Sequence, residues 1–146
     1  MRTGNRGQVL VIVALAFAVF LGFAALAVDV AYLYTVRNEL QRCADAGALA
    51  GASAFVDNSI AVVDLLATAD QRARTFASRD TVAGSPLNST TEVNVGVSLA
   101  DNLVRVTTDR TVNLFFARIF GRENTTVQAV AAANHLPSDN SLRLVE

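Results

Sequence analysis

The sequence is poor in the residue types that most often carry chemistry. It has no lysine and no tryptophan, only one cysteine, one histidine and two prolines. A single cysteine excludes a disulfide within the chain, and one cysteine with one histidine leaves little material for a zinc site or a nucleophilic pair. The sequence also lacks a glycine-rich phosphate loop. We therefore predict no catalytic residue, no metal site and no cofactor, and we expect that the protein is not an enzyme.

The charge distribution argues against nucleic acid as a partner. All twelve basic residues are arginines, and they are scattered along the chain. Beyond Val28, ten arginines stand against thirteen aspartates and glutamates, so this part carries a net charge of −3. A mildly acidic domain without a basic stripe does not have the electrostatic footprint of a nucleic-acid-binding protein.

The chain's longest uncharged run includes the twenty residues from Val9 to Val28. As a helix it measures about 30 Å, the thickness of a bilayer's hydrocarbon core. A signal peptide is the alternative, because Arg2 and Arg6 precede the run and cleavage after Ala27 would release a secreted binding module. The run is longer than a usual signal core of about 7–15 residues, and its helical pattern continues past Ala27. Both observations favour a retained transmembrane segment, and whether the N-terminus is cleaved stays open.

The flanking charges predict the orientation of this segment. Arg2 and Arg6 precede it and Asp29 follows it, so the positive-inside rule places the N-terminus in the cytoplasm and the rest outside, which in a bacterium is the periplasm. The predicted organisation is a cytoplasmic N-terminus over 1–8, a transmembrane segment over 9–28, a periplasmic α+β domain over 29–136 and a flexible tail over 137–146.

The helical pattern continues from Asp29 to Phe55, and no proline interrupts the chain up to that point. Apolar or small residues recur at spacings of three and four, which indicates a narrow packing stripe. We predict one helix of about 45 residues, apolar all round in its transmembrane half and amphipathic in its periplasmic half. The helix-packing candidates on the stripe are Leu33, Val36, Leu40, Cys43, Gly47, Ala50, Gly51 and Ala54.

The stripe contains only small residues from Cys43 onward. Gly47 and Gly51 lie four residues apart, and small residues allow another backbone to approach closely. The neighbour is either the chain's own sheet, which we expect, or another subunit. Cys43 itself is interpreted as a small buried side chain, with an intermolecular bridge or a redox role as the alternatives.

The rest of the chain predicts a second helix and then a sheet. The helix is expected from Asn58 or Ser59, which would cap it, to about Asp80. Its expected apolar stripe consists of Val62, Leu66, Ala69, Ala73 and Phe76. Alternation with period two then predicts three antiparallel strands over about 93–99, 103–108 and 125–133. Between the last two strands, the stretch "LFFARIFG" is expected to plug one end of the core.

The N-terminal stretch resembles the TadE/TadG-like proteins of the tight-adherence (Flp) pilus assembly system. The resemblance lies in a Gly-Gln step before the span, the "AVDV" exit containing Asp29, the aromatic Tyr34, the pair Leu40 and Gln41, and "ADAGALAGA". "VRVTTDRTVNLFFARIFG" and "TTVQAVAAAN" are similar to the rest of such domains more loosely. The chain is similar to a short, stand-alone TadG-like N-terminal domain.

The resemblance implies a non-catalytic, single-pass inner-membrane protein of pilin-like shape. Its expected partners are inner-membrane lipid and other pilus assembly or pilin subunits, with a homo-oligomer also considered. The resemblance leaves open whether the protein is a subunit of the surface filament or an assembly factor. The fifth residue after Gly7 is Ile12, where type IV prepilins have glutamate, and this departure argues against prepilin-type processing.

Overall fold

The computed structural model describes residues 5–136 and 141–145 and has an α+β architecture, as predicted. A long helix carries a second, short helix and an antiparallel sheet on its C-terminal half. The elements are α1 (Asn5–Ala52), α2 (Leu65–Ala77), β1 (Thr81–Val82), β2 (Ser85–Pro86), β3 (Val93–Ser98), β4 (Leu103–Asn113), β5 (Asn124–Leu136) and β6 (Ser141–Val145). Short 3₁₀ helices cover Ser53–Val56, Val62–Asp64 and Ala117–Phe120.

The predicted continuous N-terminal helix is confirmed. α1 has 48 residues, so it is about 72 Å long. Its two halves have different surroundings. The large apolar side chains between Val9 and Phe23 are each more than half exposed, whereas Val36 and Leu40 are fully buried. The first half thus projects from the domain, and the second half forms part of its core.

α2 is shorter than predicted, and the expected cap by Asn58 or Ser59 is wrong. The carboxylate of Asp57 accepts hydrogen bonds from the backbone N–H and the hydroxyl of Ser59, at 3.2 and 2.6 Å. This local turn competes with helix initiation, so helical structure begins only at Val62. On α2 the buried residues are Ala69, Ala73 and Ala77. The predicted stripe is therefore right at its two alanines and wrong at Val62, Leu66 and Phe76, which are exposed.

The sheet is an antiparallel meander in the order β3-β4-β5-β6. The predicted hairpin is present, with Val95 opposite Val106 and Ser98 opposite Leu103. Alternation on β4 directs every second side chain toward α1, and these buried residues are Val104, Val106, Thr108, Arg110 and Val112. A separate two-stranded hairpin, β1-β2, follows α2.

The sheet has a fourth strand, which the sequence prediction missed. β6 pairs with β5, with Ala132 opposite Val145 and Leu136 opposite Ser141. Its residues fall within the range predicted as a flexible tail, and that expectation is wrong for 141–145 because the strand continues the ladder of the sheet. The other tail positions, 137–140 and 146, lie outside the described residues.

The stretch predicted to plug the core does so with only one residue. It belongs to the β4–β5 connection, residues 114–123, in which Leu114 is buried. The other large apolar side chains are exposed by 39–77%, because the connection folds outward around the 3₁₀ helix Ala117–Phe120. We call these four side chains the apolar tip; they are Phe115, Phe116, Ile119 and Phe120.

Candidate functional site

Asp29 links the end of the uncharged segment to the β4–β5 connection. It lies on α1 directly after Val28 and is only 3% exposed. Its carboxylate accepts three hydrogen bonds from backbone N–H groups, from Phe115 at 2.8 Å, Phe116 at 3.0 Å and Ala117 at 2.6 Å. Three consecutive donors at the start of the 3₁₀ helix are thereby satisfied by one carboxylate.

This arrangement favours the charged form of Asp29. Desolvation of the buried carboxyl raises its pKa, but the hydrogen bonds from Ala117, Phe115 and Phe116 together outweigh that effect and the pKa is lowered below its ordinary value. A lowered pKa in the folded state contributes stability above the unfolded pKa, and that contribution is lost as the pH falls through the folded pKa. The carboxylate therefore remains charged at neutral pH and fixes the connection to α1.

The β4–β5 connection is also closed on itself. The N–H of Leu114 donates to the carbonyl of Glu123 at 2.9 Å, and that of Arg122 donates to the carbonyl of Ala117 at 3.2 Å. Gly121 adopts a left-handed backbone with φ of 82°, which ends the 3₁₀ helix. Tyr32 of α1 packs edge-to-face on Phe115, with ring centroids 5.3 Å apart. The loop that carries the apolar tip is therefore held by hydrogen bonds within itself and by packing against α1.

Gly47 and Gly51 lie where α1, α2 and the sheet approach most closely. A Cβ atom added at Gly47 would lie 2.9 Å from the carbonyl oxygen of Ala73 and 2.9 Å from the Cβ of Ala77. At Gly51 it would lie 2.8 Å from a methyl group of Val104. The neighbours of these glycines are thus within the chain, and they include α2 as well as the sheet considered from the sequence.

The other packing candidates lie at different depths. Val36, Leu40, Cys43 and Ala54 are buried, whereas Leu33 and Ala50 are half-buried. The sequence prediction missed a second row of buried residues on the same helix. Its members are four residues apart, and this spacing could have revealed the row. This row is Ala44, Ala48 and Ala52.

Cys43 is 1% exposed within the core. Burial raises the pKa of its thiol, and the nearby Asp80 carboxylate adds to that effect. A buried, protonated thiol has the features of a packing residue rather than of a reactive one.

A partly buried ion pair that the sequence did not reveal supports one side of the domain. Arg110 on β4 forms a two-point contact with the carboxylate of Glu92, at 2.9 and 2.7 Å. Its guanidinium also donates to the carbonyl oxygens of Val82, Ser85 and Pro86. The hydrogen bonds from Arg110 are the main cause that lowers the pKa of Glu92. Arg110 therefore anchors the β1-β2 hairpin to the sheet.

The described residues show no arrangement with an evident catalytic use. Within 5–136 and 141–145, no group of three or more His, Cys, Asp or Glu could hold a metal ion. The carboxylates of Asp29, Asp57 and Glu92 each accept three hydrogen bonds from donors of the protein itself. These hydrogen bonds hold secondary-structure elements of the fold together.

Taken together, the structure is a helix with a projecting apolar half and a small α+β domain on its other half. In the described part of the chain, one helix is long and apolar enough to cross a membrane by length and composition, and it lies near the N-terminus.

Residues 7–54 match the model of a family described as putative Flp pilus-assembly TadE/G-like proteins. The match confirms the TadE/TadG-like resemblance for this segment and supports a role in pilus assembly. No curated protein and no solved structure matches the chain.

The matched segment is almost the whole of α1. Several features that carried the resemblance have defined contacts in the structure. Asp29 holds the β4–β5 connection, the backbone carbonyl of Leu40 accepts a hydrogen bond from Thr108 at 3.1 Å, and Gln41 donates to the carbonyl of Val130 at 3.2 Å. The family-like segment thus forms the inner support of the domain as well as its projecting helix.

Proposed function

We propose that the protein is a non-catalytic, membrane-anchored, pilin-like subunit or accessory protein in the assembly of a tight-adherence (Flp, type IV-like) pilus. The observation that carries the proposal is the match of residues 7–54 to TadE/G-like pilus-assembly proteins, which coincides with α1. In this proposal Val9 to Val28 cross the bacterial inner membrane once. The N-terminus is cytoplasmic and the domain is periplasmic.

The exposure pattern of α1 supports an anchor. Its apolar first half has no cover from the described domain, and a helix surface of this kind is stable where lipid surrounds it. The charges change from Arg6 before the segment to Asp29 after it, which supports the proposed orientation.

The mechanism in this proposal is binding to other pilus components or to further copies of the chain. The small-residue stripe is filled by α2 and the sheet, so partners would use other surfaces. One such surface is the free backbone edge of β3, because β3 pairs only with β4 in the described sheet. Another is an open groove between α1 and the start of β5, lined by Val30, Leu33, Tyr34, Arg37 and residues 125–128.

A deletion tests the assembly role. Removal of the gene from its host should abolish or strongly reduce surface pili counted by electron microscopy, and expression of the wild-type chain should restore them. The Ala16→Arg variant, with a charge in the middle of the span, should fail to restore them, whereas Val62→Arg at an 80% exposed position should succeed. Normal piliation in the deletion strain would contradict the proposal.

A secreted binding module released after Ala27 is the second candidate. It is favoured by one observation, since the carboxylate contacts of α1 with the β4–β5 connection begin at Asp29, beyond the cleavage point. Intact-mass measurement of the protein from its host separates the two candidates. A mature chain beginning at Val28 would contradict the anchor, and retention of the N-terminal segment would contradict the secreted module.

A further inference from the structure

The apolar tip lies at the level where α1 would leave the bilayer. The carboxylate of Asp29 holds the backbone N–H groups of Phe115 and Ala117 within 2.6–2.8 Å, and Asp29 follows the last residue of the uncharged segment. One residue corresponds to about 1.5 Å along the helix, whereas the headgroup region on each side of a bilayer is roughly 5–8 Å thick. When α1 spans a membrane, the β4–β5 connection is therefore at headgroup depth.

The tip is unusually apolar for a surface loop. Its four large apolar side chains occur within six residues, and Ile119 and Phe120 are 77% and 70% exposed. Single exposed apolar residues are common, but a contiguous group marks a surface that contacts something other than water. Aromatic side chains are also enriched at membrane–water interfaces. The position of the tip and its composition thus both indicate the membrane–water interface.

The charges beside the tip suit a phospholipid surface. Arg118 and Arg122 are exposed in the same connection, and neither forms a salt bridge with a described residue. Guanidinium groups bind phosphate oxygens through paired hydrogen bonds. Of the nearby carboxylates, Glu123 is exposed, and Asp29 is buried and occupied by backbone donors. The exposed charges of the connection are therefore net positive.

We propose that the β4–β5 connection is a second membrane contact, with the apolar tip inserted into the interface of the bilayer that α1 crosses. Arg118 and Arg122 bind phosphate groups of the lipid headgroups. This inference rests on the proposed anchoring by α1. The two contacts together set how the domain is rotated about the axis of α1, because a helix alone leaves that rotation free.

The chain contains no tryptophan, so a single introduced tryptophan reports on its own position and tests the membrane contact directly. Single-tryptophan variants of the full chain are reconstituted into phosphatidylcholine vesicles with and without brominated acyl chains, which quench tryptophan on contact. Phe120→Trp reports on the tip and Phe17→Trp on the middle of the span. Val63→Trp, at an 85% exposed position beside the N-terminus of α2, is the control for the far end of the domain.

We expect brominated lipid to remove most of the emission of the Phe17→Trp and Phe120→Trp variants and little of that of Val63→Trp. Quenching of Phe17→Trp without quenching of Phe120→Trp overturns the inference and leaves the anchor in place. A blue-shifted but unquenched emission of Phe120→Trp also overturns the inference, since the tip is then covered by protein and not by lipid. No quenching of Phe17→Trp overturns the anchor and this inference with it.

A charge on the tip provides an independent check. In the Phe120→Trp background, Ile119→Asp should reduce quenching severalfold, because a carboxylate opposes insertion of the tip. Asn94→Asp, at an exposed position on β3, adds the same charge elsewhere and should leave the quenching unchanged. Equal quenching in the Ile119→Asp variant would contradict insertion.

Discussion

The carboxylate of Asp29 accepts a 2.6 Å hydrogen bond from the backbone N–H of Ala117, which lies 88 residues further along the chain. This contact and its two companions join the start of the domain to its most exposed loop. A residue that the sequence marks only as the charge after an apolar segment therefore has a structural role in the folded domain.

Asp29→Asn should loosen the β4–β5 connection. The amide keeps the size of the side chain but loses the charge that strengthens three hydrogen bonds. We expect faster hydrogen exchange at the N–H groups of 115–117 and a lower melting temperature in detergent micelles. Asp64→Asn, at an exposed position remote from the connection, is the control and should leave the exchange at 115–117 unchanged. Unaltered exchange in Asp29→Asn would show that the carboxylate does not hold the loop.

Gly47→Ala should destabilise the domain. Overpacking costs about 1–3 kcal/mol, and Gly→Ala gains about 1 kcal/mol in helix propensity. We expect the overpacking cost to fall in the upper part of its range and to outweigh the gain, because the neighbours at 2.9 Å are a backbone oxygen and a short alanine side chain, which cannot move aside easily. Gly22→Ala on the same helix is the matched control, since nothing lies within 4 Å of an added Cβ there. Thermal or denaturant unfolding in micelles measures both. A Gly47→Ala variant as stable as the control would rule out the close contact with α2.

Arg110→Ala should be among the most damaging single substitutions in the domain. It removes the guanidinium donor from Glu92 and from three carbonyl oxygens. Loss of one partner of a fully buried pair costs about 3–5 kcal/mol, and we expect a cost toward the lower end because the Glu92 side chain is 24% exposed. Arg110→Lys should recover only part of the loss, because an ammonium group cannot reproduce the two-point contact. Arg105→Lys, at an exposed position on the same strand, should be neutral in the same unfolding measurement. Equal stability of the two lysine variants would contradict the role given to the guanidinium.

Asp57→Asn should remove part of the acid sensitivity of the fold. Hydrogen bonds from Ser59, and then the Arg72 guanidinium at 2.7 Å, lower the pKa of Asp57 to about 2. Because the folded pKa lies below the unfolded value of 3.8, its stabilising contribution is present above that value and is lost as the pH falls toward 2. Melting temperatures measured across this range should fall less steeply for Asp57→Asn than for the wild type. Parallel curves would exclude the contribution.

Ala16→Arg should prevent stable insertion of α1. A charge near the bilayer centre costs about 2.5–3.5 kcal/mol on insertion scales, so we expect loss of the protein from the membrane fraction or its degradation. Asn38→Arg, at an exposed position on the same helix beyond the apolar half, is the control and should fractionate like the wild type. The amount of each variant in washed membranes, measured by immunoblot, decides the outcome.

The sequence predicted those parts of the fold in which periodicity reflects burial. α1 was predictable because no proline interrupts it and its apolar residues keep helical spacing beyond the uncharged segment. The β3-β4 hairpin was predictable because valines alternate with polar or small residues. β6 was missed because a strand of five residues near the end of the chain gave too short a pattern to separate from a tail. The start of α2 was misplaced because the Asp57 side chain forms a turn with Ser59.

The contacts of Asp29 and Arg110 were not predictable for a different reason. The donors to Asp29 are backbone groups, which carry no sequence signal. Arg110 occupies a position on the buried face of β4 where alternation alone predicts an apolar residue, and its partner Glu92 precedes a different strand. Both contacts arise only when distant segments meet in the folded chain.

The unbroken helix makes the domain respond to the tilt of its anchor. Residues 9–28 and the part of α1 that lies in the core belong to one continuous helix, so the two parts move together. From Asp29 to Ala52 the lever arm is about 36 Å, and an anchor tilt of about 20° displaces its far end sideways by about 12 Å. If α1 crosses the bilayer as proposed, a change in membrane thickness that alters the tilt by about 20° would move the outer end of the domain sideways by about the width of a helix.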